Sequence, residues 1–154
     1  MDRYASLASE LTALLRSMKD LHAYVVDHAD VPFETAGAIV LTRLDSLGPV
    51  RLTTLAAELR LDPSSVSRQV AVLERHGLVS KERDDADLRA QRLTLTEAGN
   101  AAVRQLRAAF AERLAQLTPG YSSGEIDELV DRLARLNTEI KEHRGLLGAR
   151  QETA

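Results

Sequence analysis

The sequence predicts a mainly α-helical fold of about six helices with one small β-hairpin. Three observations carry that expectation. Apolar residues recur at spacings of three and four over most of the chain, the mark of amphipathic helices. The two-residue alternation of a strand occurs at Gln91-Arg92-Leu93-Thr94-Leu95, shortly after the extended-type run Leu78–Arg83. Helix start and stop signals divide the rest: Asp62-Pro63, Thr96 and Ser122-x-x-Glu125 as starts, Gly48-Pro49, Gly77 and Pro119-Gly120 as stops.

The first helix is expected over residues 3–28. Tyr4, Leu7, Leu11, Leu14, Met18, Leu21 and Val25 form an a/d seam sustained over three heptads. At about 26 residues this helix exceeds the ~8–20 of typical globular helices. A second chain is the simpler partner for such a seam, and an internal helix bundle is the alternative. Asp30-Val31-Pro32 breaks the helix. A second follows over 34–47, with Ile39, Val40 and Leu44 directed inward, and Gly48-Pro49 ends it. Val50-Arg51-Leu52 reads as a short extended piece. Thr53 is expected to cap a third helix over 54–60, with Leu55, Ala56 and Leu59 buried and Arg60-Leu61 as the turn.

The next helix, between Asp62 and Gly77, has both ends marked. Asp62 is an N-cap residue, Pro63 fits the first helical position, and Gly77 supplies a left-handed closing residue. Val66, Val70 and Leu73 make one apolar stripe. Ser64, Arg68 and Arg75 lie opposite, with Ser65 and Val72 at the flank. That outer face is small, hydroxylated and cationic. Two readings fit it: a solvated face, or a face that lies in a DNA major groove with arginines near guanine or phosphate. Two short helices joined by a tight turn make a helix-turn-helix. The run 78–83, a polar loop DDADLRA at 84–90 and the return strand 91–95 then make a hairpin of the kind called a wing. Arg89 stands near its expected tip, where a guanidinium suits a narrow minor groove.

Thr96 caps a helix over 97–117 whose Val103, Leu106, Phe110, Leu114 and Leu117 repeat at three and four. Ser122-x-x-Glu125 is a capping box, and the last helix runs to about residue 143 with Ile126, Leu129, Val130, Leu133, Leu136 and Ile140 as its inward set. The terminal GARQETA is expected to fray.

Composition narrows the function. The chain of 154 residues has a net charge of −3, 44% apolar residues, 3% aromatics and no cysteine. The core is therefore aliphatic, and a disulfide framework, thiolate zinc site, cysteine nucleophile and thiol switch are all excluded. No apolar run approaches the ~18 residues of a membrane span, and the N-terminus lacks a secretory pattern, so a cytoplasmic location is expected. Residues 51–92 carry eight Lys/Arg against seven Asp/Glu, leaving 12 against 16 elsewhere, so the acidity sits in the flanking helices. No enzyme is expected. Asp84-Asp85-x-Asp87 lacks calcium-loop spacing, and no Gly-rich phosphate loop or Gly-x-Ser-x-Gly is present. His22, His28, His76 and His143 are scattered. No cofactor and no metal are expected.

The ordered elements and their residues resemble the MarR family of transcriptional regulators over nearly the whole chain. The resemblance rests on LTTLAAEL (52–59), DPSSVSRQVAVLERHGLV (62–79) and ERDDADLRAQRLTLTEAG (82–99), with Asp87-x-Arg89 matching the family's DxR element and Leu95–Gly99 its LTxxG junction. It implies a winged-helix homodimer whose helices 1, 5 and 6 interlock, with two lobes on successive major grooves of a pseudo-palindromic DNA operator. In domain terms, residues 1–30 form an N-terminal dimerisation helix, 31–96 the winged helix-turn-helix, 97–147 the C-terminal dimerisation helices and 148–154 a disordered tail. Matched position by position, Ser64, Ser65, Ser67, Arg68 and Gln69 face base edges and phosphates, Arg89 is the wing arginine, and Asp87 orients nearby arginines. Thr53 and Thr54 offer hydroxyl or backbone N–H contacts to phosphate. Arg75, Lys81, Arg83 and Arg92 are either phosphate contacts or solvated charges.

A ligand-responsive repressor is the expected function, and a helical interaction scaffold without DNA binding is the alternative. A small-molecule effector at the junction of helices 1 and 5 would alter the spacing of the two reading helices, which must match one duplex turn of ~34–36 Å. His22, Asp27 and His28 are the junction residues in that reading; the other reading is polar residues at a helix end.

Overall fold

A computed structural model describes residues 2–84 and 87–143, the side chains of 84 and 87–90 excepted. The expected tail, 148–154, lies outside the described residues. Among the described residues, six helices and three strands follow in the order α1 (Arg3–His28), α2 (Thr35–Leu47), β1 (Val50–Arg51), α3 (Leu52–Leu59), α4 (Pro63–Arg75), β2 (Val79–Asp84), β3 (Asp87–Leu95), α5 (Glu97–Leu117) and α6 (Ser123–Glu142). They fall into two compact units that divide between Leu114 and Ala115. None of the described helices is long and apolar enough to cross a membrane.

The first unit is built round an aliphatic core. Val40, Leu41 and Leu44 of α2, Leu55 of α3, Val66, Val70 and Leu73 of α4, Leu93 of β3 and Val103 of α5 are all at most 1% exposed. Burying side chains of this size stabilises by ~1.5–3 kcal/mol each. The sheet order is β1-β3-β2, all antiparallel, with Val50 opposite Leu93 and Val79 opposite Leu95. Leu78 and Val79 are buried, so the base of the hairpin is seated in the same core as the stripe of α4.

Three local expectations are corrected. Ile39 is 47% exposed; the inward side of α2 is Gly37, Ala38, Val40, Leu41 and Leu44. At 100° per residue Ile39 cannot share a face with both Ala38 and Leu41. Thr53 does not cap α3. The helix starts at Leu52 with Arg51 as N-cap and no side-chain cap bond, because Val50 and Arg51 are held in the sheet and the chain enters the helix directly from a strand. The polar stretch 84–90 is mostly strand: the ladder extends to the pair Asp84–Asp87, with an irregularity between Arg83 and Asp84. Backbone pairing to β2 outweighs the low strand propensity of Asp there.

The second unit holds the end of α5 and α6. Ser122 Oγ accepts from the Glu125 N–H (3.4 Å), and the Glu125 carboxylate accepts from the Ser122 N–H (2.9 Å), which completes the capping box. The Ser122 N–H, with the Ser122 hydroxyl that also donates to the carboxylate at 2.7 Å, holds the Glu125 carboxyl below the usual carboxylate range. No residue of α6 is buried, although Ile126, Leu129, Val130 and Ile140 line up at helical spacing.

Candidate nucleic-acid interface

The candidate interface begins with the way α4 is aimed. Arg60 takes a left-handed conformation (φ 55°, ψ 41°) and closes α3 with backbone bonds to Ala56 and Ala57. The chain then reverses into Asp62. The Asp62 carboxylate accepts from the Ser65 N–H at 2.9 Å and from the Ser64 hydroxyl. Hydrogen bonds from Ser64 and Ser65 hold this carboxyl well below the usual carboxylate range. Pro63 at the first helical position gives up no backbone bond. With Val66, Val70 and Leu73 in the core, the opposite side of the helix must face outward.

That outward side carries Ser64, Ser67, Arg68 and Arg75, all exposed, with Ser65 and Gln69 half-buried at its margin. The Arg68 guanidinium donates to Ser65 Oγ at 3.2 Å, which draws the arginine along the helix toward its N-terminal turn. Arg68, Ala71, Val72, Glu74 and Arg75 line a shallow open depression on the same side. Thr53 and Thr54 are exposed in the first turn of α3. Hydroxyls, guanidiniums and first-turn backbone donors are groups that hydrogen-bond phosphate oxygens and base edges.

Four basic residues separate into two kinds. Arg92 donates through Nε (3.1 Å) and Nη2 to the Pro49 carbonyl, so it ties β3 to the turn before β1. Lys81 pairs with Glu74 at 2.7 Å. Arg75 and Arg83 are exposed. The side chains of Asp87 and Arg89 lie outside the described residues. The backbone puts position 89 within β3, in the strand rather than in a loop.

The residues read as an effector site, His22, Asp27 and His28, lie on α1 and are all exposed. Each imidazole Nδ1 is bonded to the carbonyl four residues back, His22 to Met18 (2.9 Å) and His28 to Tyr24 (2.8 Å). The His22 ring stacks on Phe110 of α5 at 4.3 Å, and the His28 ring on Tyr24 at 4.0 Å. Arg113 of α5 lies over Tyr24, 4.6 Å from the ring centre. His22 thus touches α5 directly, His28 stacks only on Tyr24 of its own helix, and Asp27 takes part in neither stack.

Sequence reasoning missed Glu74, Thr96 as a link, Tyr24, Phe110 and Arg113. Thr96 Oγ1 accepts from the Gly99 N–H (3.0 Å) and donates to the Gly77 carbonyl (2.6 Å). One hydroxyl therefore joins the start of α5 to the residue that closes α4. The cap was legible from sequence; its second bond spans 19 residues and was not.

Comparison with known proteins agrees with this geometry. The MarR family model matches residues 38–90, from α2 into the hairpin. The uncharacterized HTH-type transcriptional regulator YxaD of Bacillus subtilis (strain 168) is 32% identical over 104 residues, spanning 68% of this chain and 73% of that protein. A MarR family protein from Bacillus stearothermophilus shares the fold with a TM-score of 0.77 at 22% identity, covering 92% of this chain and 99% of its own. E. coli MarR in its apo form has a TM-score of 0.68 at 22% identity, over 83% of this chain and 94% of its own. Streptococcus pneumoniae FabT, solved in complex with DNA, has a TM-score of 0.66 at 18% identity, over 90% and 98%. A mainly helical chain with a capped, outward-facing helix beside a hairpin, and with this relative, belongs to the MarR family of DNA-binding, non-enzymatic transcriptional regulators.

Proposed function

We propose that the protein is a homodimeric, ligand-responsive repressor that binds a pseudo-palindromic operator in double-stranded DNA, and so works in the cytoplasm. The observation that carries the DNA part is the outer side of α4: two hydroxyls and two arginines, exposed, opposite a stripe of three core residues. Ser64, Ser65, Ser67, Arg68 and Gln69 read bases and phosphates, Thr53, Thr54 and Arg75 hold phosphate, and Arg89 with Asp87 serves the hairpin. The apolar sides of α1 and α6 support the dimer. Tyr4, Leu7, Leu14 and Leu15, and Ile126, Leu129, Val130 and Ile140, are all exposed in the single chain. Exposed apolar stripes of this length mark association surfaces. In this division, 1–30 and 97–147 pair with a second copy and 31–96 reads DNA.

The effector reading rests on the His22–Phe110 stack between α1 and α5. A small molecule that displaces Phe110 from His22 changes the α1–α5 contact, and with it the spacing of the two lobes. It acts only through its differential affinity for the two spacings. Loss of an effector response in His22→Ala, with DNA affinity retained, tests this site.

Selection of genomic fragments by the purified protein, followed by binding at rising salt, tests the whole reading. Affinity falls steeply with salt as counterions return to the phosphates. Arg68→Ala and Arg89→Ala each weaken binding by ~1–3 kcal/mol, the range for a good base contact. If neither does, the reading surface lies elsewhere. Salt-insensitive binding, or none, favours the interaction scaffold instead.

A further inference from the structure

The ion pair between Glu74 and Lys81 joins the two parts that must grip DNA together. Glu74 is on the last turns of α4 and lines the depression that also holds Arg68 and Arg75. Lys81 is the third residue of β2, the first strand of the hairpin. Their charged ends meet at 2.7 Å, with the side chains 28% and 40% exposed. An acid beside two outward arginines repels phosphate unless its charge is met, and the one ion pair it makes among the described residues is with Lys81.

We propose that Glu74 and Lys81 form a positioning clamp that sets the angle of the hairpin to the reading helix, and that Lys81 is thereby withdrawn from phosphate binding. This rests on the DNA-binding reading above. The hairpin base is already fixed by the buried Leu78 and Val79. The clamp acts two residues further out, on the exposed side of β2 at Lys81, whose partner across the ladder is the buried Leu93. It matches the reach of the hairpin into one groove to the depth of α4 in the next.

The test uses the full-length protein on a selected operator, with Glu74→Gln, Lys81→Met, the double variant and Lys81→Arg. Wild-type binding that falls with salt establishes the DNA reading first; if wild type binds no DNA, that reading fails and the clamp with it. Given binding, Glu74→Gln, Lys81→Met and the double variant are each expected to lose about two- to five-fold in affinity, as suits a partly exposed pair. The double variant is expected to be no worse than either single. Hydroxyl-radical protection in the minor groove under the hairpin weakens in all three, while methylation protection of guanine N7 in the major groove persists. Lys81→Arg keeps both. The salt slope of Lys81→Met stays that of wild type. A slope lower by about 0.9 for each lysine lost, or tighter binding by Glu74→Gln, would show Lys81 to be a phosphate ligand and overturn the clamp. Unchanged minor-groove protection in all variants would overturn it equally.

Discussion

Gly99 is in the first turn of α5, and its α-hydrogen points at the start of the hairpin. A Cβ built there lies 2.0 Å from the Leu78 carbonyl oxygen, 3.0 Å from its carbon and 3.3 Å from a Leu95 methyl. Ordinary C···O contacts are no closer than about 3.3 Å, so Gly99→Ala forces a movement of roughly 1.3 Å. The obstacle is backbone and cannot swing aside. The same carbonyl accepts the Thr96 N–H at 3.1 Å, so moving it weakens the junction on both sides. Helix propensity alone favours alanine by ~1 kcal/mol. Overpacking costs ~1–3 kcal/mol or more, and the strained hydrogen bond adds about 1. The net expectation is a loss of roughly 1–3 kcal/mol. Gly124, in the first turn of α6, is the sign control, because an added Cβ there meets nothing within 4 Å. Gly124→Ala is expected to gain up to ~1 kcal/mol. Urea unfolding of both variants at one protein concentration decides the matter, provided the slope with denaturant is unchanged. A Gly99→Ala midpoint at or above wild type would refute the reasoning.

Three further outcomes are expected. Thr96→Val removes the bonds to Gly77 and Gly99 together and lowers stability by about 1–3 kcal/mol, read from the same urea curves; a change under 0.5 would show the two bonds to be dispensable. Asp62 is held below its usual range, so its charge contributes stability that is complete above its ordinary value of ~3.9 and is lost as pH falls further. The advantage of wild type over Asp62→Asn in thermal unfolding is therefore present at pH 7 and shrinks below about pH 4; a constant difference across that window would contradict the hydrogen-bond assignment. Leu129→Lys puts a charge on the exposed stripe of α6; if that stripe pairs with a second copy as proposed, the dimer dissociation constant rises at least ~100-fold in sedimentation equilibrium, since burying an unpaired charge costs several kcal/mol. An unaltered constant would move the interface off α6.

The parts legible in the sequence are those whose cause is local. The ends of α1, the Asp62-Pro63 start of α4, the capping box at Ser122 and the burial of Val66, Val70 and Leu73 follow from spacing and cap chemistry within a few residues. What escaped depends on residues far away in the chain. Thr53 has the chemistry of a cap, but pairing of Val50 and Arg51 with β3 starts the helix two residues earlier. Asp84 and Asp87 look like loop residues until β2 and β3 are laid side by side. Arg92 and Lys81 read as phosphate contacts or solvated charges, yet one holds the Pro49 carbonyl and the other Glu74. In the interface the outer residues of α4 were legible because the opposite side of the helix is so clearly core. The bonds that orient those residues were not.

The shared hydroxyl of Thr96 bears on how this protein can be rebuilt. Swapping reading lobes between such regulators is a natural route to new operator preferences, and Thr96 is an inviting splice point between hairpin and helix. A graft cut there takes Gly77 and Leu78 from one parent and Gly99 from the other, so the donor, the acceptor and the glycine gap that admits the carbonyl no longer come from one source. Moving the seam past Gly99, and so carrying residues 77–99 as one block, keeps that weld whole.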